Sequence, residues 1–190
     1  MALGPDLEGK RIRLRPVVAA DVGPEYVGWL NDPEINRFLE SRHRKSSQRS
    51  VRAFIAKMTA SDSDYLFAIC LRRGDRHIGN IRLGPIRSEH RLAELSLYIG
   101  EREAWGKGYG GETVALVTRH AFEDLGLNKA MGRMYAANKA SIRAFFRAGY
   151  REEGRLREHY LFDGKPMDVV VMGCTARNYV ARVQALQTTR

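Results

Sequence analysis

The first regular pattern in the chain is Arg11-Ile12-Arg13-Leu14-Arg15, in which basic and apolar residues alternate. Alternation puts Ile12 and Leu14 on one face, so the segment predicts a half-buried strand that Pro16 ends. Longer apolar periods over 19–30 and 47–60 predict two helices. Between them, Asn31-Asp32-Pro33 opens a short turn at 33–39, with Pro33 suited to a first helical position. Residues 65–71 and 77–83 are apolar runs of strand length, joined by the turn chemistry of Arg72-Arg73-Gly74-Asp75. Residues 92–99 form a further strand. Its period of two sets Leu95, Leu97 and Ile99 on one face and Glu94, Ser96 and Tyr98 on the other.

The second half alternates between the two periods. Glycines at 106–111 open a helix that runs to about Leu125, carried by Val114, Val117 and Ala121 and closed by Gly126. A strand over 129–136 follows. Asn138 starts a short helix in which Ile142, Phe145 and Phe146 face the core, and Gly149 ends it. Strands at 150–158 and 167–172 flank Asp163-Gly164, a hairpin turn, and a last helix covers 175–187. Antiparallel strands followed by a β-α-β-α-β run predict the α/β (α+β) class, with one mixed central sheet of six to seven strands flanked by helices.

Composition narrows the picture. The 190 residues suit one domain, with a core over about 10–173 and the last helix outside it. No apolar run approaches the roughly 20 residues of a membrane span. Met1-Ala2-Leu3-Gly4-Pro5-Asp6 lacks a basic and then apolar leader, so the chain reads as cytoplasmic. Cys70 and Cys174 lie far apart in apolar runs and read as packing residues, and no metal-ligand spacing is present. The net charge of +10 rests on 25 Arg against 7 Lys, spread along the chain. The densest stretch, from Arg42 to Arg52, has no aromatic residues interleaved to stack bases. Most of this charge therefore reads as solvated surface, with an anionic ligand left open.

The candidate chemistry begins at Trp105-Gly106-Lys107-Gly108-Tyr109-Gly110-Gly111-Glu112, between a strand and a helix. Glycine permits tight turns and close backbone approach, and a helix N-terminus offers free N–H groups to an anion. A phosphate or pyrophosphate is the expected guest. The P-loop pattern fails, because Glu101 stands where its first glycine belongs and Gly108 follows Lys107. Gly106, Gly108 and Gly111 satisfy the dinucleotide spacing, but Ala136-Ala137-Asn138 stands where that fold wants an acid.

Taken with Asn138-Lys139-Ala140-Ser141 and Phe145-Phe146-Arg147-Ala148-Gly149-Tyr150, this loop resembles the GNAT superfamily of acetyl-CoA-dependent N-acetyltransferases. That family's pyrophosphate loop is Gln/Arg-x-x-Gly-x-Gly/Ala, matched here from Trp105 to Gly110 with Trp at the first place. Trp29-Leu30-Asn31-Asp32-Pro33, Ile78-Gly79-Asn80 and Glu153-Gly154-Arg155-Leu156-Arg157 resemble the branch that acetylates ribosomal-protein N-termini and nucleotide-linked amino sugars. The resemblance covers about residues 10–173. It implies that the strand at 92–99 bulges and splays from the one at 129–136, with acetyl-CoA between these fourth and fifth strands. Main-chain groups of Leu97, Tyr98 and Ile99 would then meet the pantetheine arm. Trp105, Gly106, Lys107, Gly108, Tyr109, Gly110 and Gly111 would meet the pyrophosphate, and Asn138, Ser141 and Phe145 would complete the cofactor site. The branch also implies a possible homodimer.

One departure matters. Many members carry Tyr seven residues after the Asn, as the acid for the leaving thiolate; this chain has Phe145. Ser141 is then the nearest hydroxyl, either as the acid or as a helix cap. Direct attack by an amine needs a base and no covalent enzyme intermediate. Glu94 is assigned that role, with His77, His120 and His159 as further possibilities, and Glu112 is assigned to the helix N-terminus. The acceptor is a primary amine, such as a nucleotide-linked amino sugar or a protein N-terminus. Segments 31–45, 84–91 and 157–166 are expected to shape its site. The sequence also allows a non-catalytic CoA- or nucleotide-binding module, or an RNA- or ribosome-associated protein.

Overall fold

The computed structural model describes residues 4–188. Eight strands form one sheet: β1 (Leu7–Glu8), β2 (Ile12–Pro16), β3 (Tyr65–Leu71), β4 (His77–Leu83), β5 (Leu92–Ile99), β6 (Lys129–Tyr135), β7 (Arg151–Phe162) and β8 (Lys165–Thr175). Their order is β1-β2-β3-β4-β5-β6-β8-β7, and every neighbouring pair is antiparallel except β5 and β6. The strand beyond the expected seven is β1, whose two residues are too few to show a period.

Five α-helices flank the sheet: α1 (Pro24–Asn31), α2 (Gln48–Thr59), α3 (Tyr109–Arg119), α4 (Lys139–Ala148) and α5 (Ala176–Thr188). The expected helix over 19–30 is broken. Residues 19–21 make one 3-10 turn, and Pro24 restarts the chain as the first residue of α1. Proline lacks the N–H that a continuous helix would use, but a first-turn N–H has no helical partner anyway. α3 runs on through a π-helical turn at His120–Asp124 before Gly126 turns the chain at φ +60°.

α3 and α4 cover one face of the sheet. There Ile12, Leu14, Phe67, Ile81, Leu95, Val114, Val117 and Phe145 form the main core. A second cluster on the opposite face joins α1 and α2 to the sheet through Val17, Tyr26, Trp29, Val51, Ile55 and Cys70. Cys70 and Cys174 are buried. α4 turns Ile142, Phe145 and Ala148 inward, whereas Phe146 is 58% exposed and lies under the Arg151 guanidinium at 5.1 Å. The inward residues recur every three positions, and Phe146 falls off that stripe. α5 is docked by Tyr179, whose ring centroid lies 5.2 Å from that of Phe122 and whose hydroxyl donates to Glu123 at 2.6 Å. No helix among the described residues is long and apolar enough to cross a membrane.

Two features of the sheet position the site. β5 and β6 pair only over Leu92–Glu94 and Lys129–Met131, then part. β5 keeps an unbroken register with β4 from Gly79↔Ile99 to Leu83↔Leu95, so the expected bulge in this strand is absent and the gap comes from divergence alone. One irregularity lies between β3 and β4, at Ile69–Cys70, and two lie in β7. Its register with β8 slips at Glu153 and again at Arg157–His159, where Glu158 has φ +48°. Those slips break the alternation, which is why the strand looks as if it ends near Glu158.

Candidate active site

Hydrogen-bond parity decides what faces the gap. Gly84 N donates to the Glu94 carbonyl at 2.8 Å, and Gly100 N donates to the Ile78 carbonyl at 2.8 Å. In an antiparallel ladder the bonding residues alternate, so the even residues of β5 serve β4 and the odd ones point the other way. The N–H and C=O of Leu97 therefore face the gap beyond the last β6 pairing. The Ile99 carbonyl is taken by Trp105, whose indole Nε1 donates to it at 2.8 Å. Tyr98 turns its main chain to β4 and is not among the groups lining the gap. On the far side, Ala136 N donates to the Asp168 carbonyl at 2.9 Å. The same parity leaves the main-chain groups of Arg133 facing β5.

The glycine loop stands at the open end of this gap. Gly106 (φ +73°) and Gly108 (φ +84°) adopt left-handed conformations, and Gly108 caps α3. Glu112 N is the first amide of α3 to reach a helical carbonyl, that of Gly108 at 3.2 Å. The N–H groups of Tyr109, Gly110 and Gly111 are thus without helical partners. A Cβ on Gly110 would lie 3.7 Å from both Ala144 Cβ and Leu97 Cδ1, so the loop, α4 and β5 converge at this point. Lys107 is exposed. Glu112 lies beneath the loop and is bound by Arg11, which donates from its main-chain N at 2.8 Å and from Nε at 2.9 Å. Burial raises the Glu112 carboxyl, but those hydrogen bonds and the Arg11 charge outweigh it and hold the group below the usual carboxylate range.

Beside the loop, Asn138 caps α4: its side-chain oxygen accepts from Ser141 N at 3.1 Å. The cap is therefore Asn138 and not Ser141, because the cap residue stands one place before the first helical residue. The Ser141 hydroxyl makes no hydrogen bond among the described residues. Phe145 is 1% exposed, packed edge-on against Tyr150 with centroids 5.0 Å apart. A Cβ on Gly132 of β6 would lie 2.6 Å from its ring. It forms the floor beneath the gap and offers no accessible surface to a ligand.

The face of the sheet opposite α3 and α4 carries the remaining candidates. Arg133 grips both oxygens of Glu94, from Nε at 3.2 Å and from a terminal nitrogen at 3.0 Å. Ser96 is exposed next to it. Tyr135, at the end of β6, donates to Glu40 at 2.5 Å and accepts from Arg42 at 3.0 Å. Arg42 also donates to the carbonyls of Leu39 and Leu161, at 3.3 Å each, and so ties segment 31–45 to the β7–β8 hairpin. Phe38 stacks on Phe162 with centroids 5.3 Å apart. Arg42, Leu161 and Phe162, with Asn31, Glu34 and Arg37, line an open pocket of about 870 Å³. Segment 84–91 lies at the closed end of the gap, where the Arg91 carbonyl accepts from Asn128 N at 2.7 Å; it takes no part in this pocket.

The histidines divide. His120 is buried at the far end of α3, bonded to Asp124 at 2.7 Å. His159 is exposed on β7, its ring centroid 4.8 Å from that of Tyr160. The His77 Nε2 bonds the Gly79 carbonyl at 2.9 Å and the Asn80 side-chain oxygen at 2.6 Å, and Asn80 donates onward to Tyr26 and Tyr98. Burial raises the Tyr98 phenol well above its ordinary value, so it stays neutral beneath α1. Tyr135 and Arg133 carry no motif signal in the sequence, and Arg42 reads there only as part of a basic stretch inside the expected acceptor segment 31–45. Extending the period-two face argument to β6 would have found the first two, since Met131, Arg133 and Tyr135 alternate just as Glu94, Ser96 and Tyr98 do.

Residues 11–151 match the acetyltransferase (GNAT) domain family. The uncharacterized N-acetyltransferase YoaA of Bacillus subtilis is 27% identical over 169 residues, 88% of this chain and 94% of its own. The uncharacterized N-acetyltransferase p20 of Bacillus licheniformis is 26% identical over 90% of this chain and 96% of its own. Among solved structures, the spermidine N-acetyltransferase of Vibrio cholerae in complex with CoA and spermine superposes with a TM-score of 0.79 at 22% identity, covering 90% of this chain and 98% of that one. A parted pair of strands, unpaired amides at a glycine-rich helix start and a family match across most of the chain lead to one conclusion: the chain belongs to the GNAT acetyltransferases and is an acetyl-CoA-dependent N-acetyltransferase.

Proposed function

We propose that the acceptor is a primary amine carried on an anionic small molecule, with a nucleotide-linked amino sugar as the class. The observation that carries this reading is Arg37. Its guanidinium lies 4.8 Å over the Phe38 ring and 5.6 Å from Phe162, on the wall of the acceptor-side pocket, with no carboxylate partner among the described residues. Arg42 occupies the faces of Tyr135 and Phe162 at 5.0 and 5.6 Å. The aromatic faces that could hold a substrate ammonium are thus already covered by cations. Of the two acids lining the pocket, Glu34 is paired with Arg102 at 3.0 Å, and Asp163 stands on the hairpin turn. A polycation meets like charge here, while a phosphate finds a free guanidinium. The Trp29–Pro33, Ile78–Asn80 and Glu153–Arg157 motifs support the same branch of the family.

In this reading the unpaired N–H and C=O of Leu97 bond the pantetheine, and the N–H groups of residues 109–111 hold the pyrophosphate. These groups fit it, being the ones the fold leaves without partners. Glu94, fixed in orientation by Arg133, takes the ammonium proton through water, and the neutral amine attacks the thioester carbonyl. As the C–S bond breaks, Ser141 donates a hydrogen bond to the departing sulfur, and the proton that the nitrogen loses on becoming an amide ends on that thiolate. A mass-resolved screen with acetyl-CoA tests the acceptor, offering nucleotide-linked amino sugars, peptides with free N-termini and spermidine. The amino sugar is expected to give a kcat/KM at least about tenfold above the others, with Glu94→Gln lowering its rate on the order of 10²–10⁴-fold. A preference for spermidine or for a peptide would overturn the acceptor assignment.

A further inference from the structure

We propose that Arg11 is the positioning residue of the pyrophosphate site, acting by neutralising Glu112 beneath the loop and pinning the loop's main chain. This inference rests on the reading that the glycine loop holds the pyrophosphate.

The starting point is an electrostatic conflict. A carboxylate in the first turn stabilises a helix, because the N-terminal end carries partial positive charge. The same carboxylate opposes an anion bound at that end. Glu112 is in the first turn of α3, with its side chain only 16% exposed, close to the three amides that are free for a phosphate. Left alone, it would cancel much of what those amides offer.

Arg11 resolves the conflict from a distant part of the chain. It sits in the tight turn between β1 and β2, and both oxygens of Glu112 are met by its main-chain N and its Nε. One terminal nitrogen donates to the Lys107 carbonyl at 2.9 Å, which fixes the loop between its two left-handed glycines. The guanidinium carbon lies 4.9 Å from the centre of the Tyr109 ring, at the first residue of α3. The remaining nitrogen, Nη2, makes no hydrogen bond among the described residues and lies 3.5 Å from the place of a Cβ on Gly108. One side chain therefore contacts Lys107, Tyr109 and Glu112 and borders Gly108. The turn is shaped for this contact: a Cβ on Gly9 would come within 2.8 Å of Glu112 Oε1.

The test compares two thioesters, acetyl-CoA and S-acetylpantetheine, which lacks the pyrophosphate. Arg11→Ala is expected to raise the KM for acetyl-CoA about tenfold, the scale of a lost charge-assisted hydrogen bond, with kcat at saturation within about twofold. The KM for S-acetylpantetheine should stay within about twofold. Arg11→Lys should recover part of the loss, since it keeps the charge without the fork. Adding Glu112→Gln to Arg11→Ala should recover part as well, because the unpaired carboxylate is gone. Should Arg11→Ala fail to fold, Arg11→Lys is read against the same two thioesters. Equal effects on both thioesters, or no effect on acetyl-CoA, would overturn the role of Arg11. If the wild-type chain itself gives the two thioesters the same KM, the pyrophosphate reading of the loop falls instead.

Discussion

Asn138 and Ser141 both belong to the helix start, and the structure divides their duties. Asn138 accepts the Ser141 amide and caps α4, leaving the Ser141 hydroxyl without a hydrogen bond among the described residues. Asn138→Ala should therefore cost about 0.5–2 kcal/mol of stability. Ser141→Ala should stay within about 0.5 kcal/mol while kcat falls about tenfold. Calorimetry and single-turnover rates on the two variants check this, and an unchanged kcat in folded Ser141→Ala would remove the hydroxyl from the mechanism. A thiol leaves with a pKa near 8.5, so a hydrogen bond is sufficient help at neutral pH. The spacing of the two residues was legible in the sequence, but not their division of labour. Both residue types cap helices, and only the place where the helix begins decides between them.

At the scale of elements, the glycine loop offers a cleaner experiment at Gly110 than at Gly108. A Cβ at Gly108 would be strained at φ +84°, at a cost of about 1–2 kcal/mol, so its loss of binding would be mixed with loss of fold. At Gly110 the nearest atoms to an added Cβ stand at 3.7 Å, an ordinary contact. Gly110→Val should keep its melting temperature within a few degrees and lose at least about tenfold in acetyl-CoA affinity. Undiminished affinity in the folded variant would exclude the loop from the cofactor site. The loop was legible because glycine density and the strand-to-helix change are local signals. The face assignment in β5 was legible for the same reason, since a period of two needs only neighbours. The break in 19–30 is invisible to periodicity, because the apolar residues continue across Gly23-Pro24. The Arg11–Glu112 contact was beyond reach, because it joins residues 101 positions apart.

At the scale of the molecule, the arginine excess is structural as well as superficial. Asp21 with Arg15 and Asp64 with Arg82 pair at 2.7 and 2.5 Å, and Glu112 with Arg11 at 2.9 Å. Burial raises all three carboxyls, but their hydrogen bonds and the arginine charges outweigh it and leave each below its ordinary value. A carboxyl depressed in the folded state contributes stability above its unfolded pKa and loses it as pH falls through the folded value. The melting temperature should therefore hold from neutrality to about pH 5 and drop below about pH 4. Asp64→Asn should flatten that drop. A melting temperature constant down to pH 3 would contradict the assignment.

The parting of β5 from β6 has a mechanical meaning as well as a chemical one. The polypeptide leaves its own sheet unfinished, as two blades, β1–β5 and β6–β8, stitched by three residue pairs and bridged by helices. A thioester arm lying along the seam would close it as a keystone closes an arch. Tightness of grip and stiffness of the whole then draw on one source. On that account the seam, held by three residue pairs, is the place where binding would stiffen the sheet.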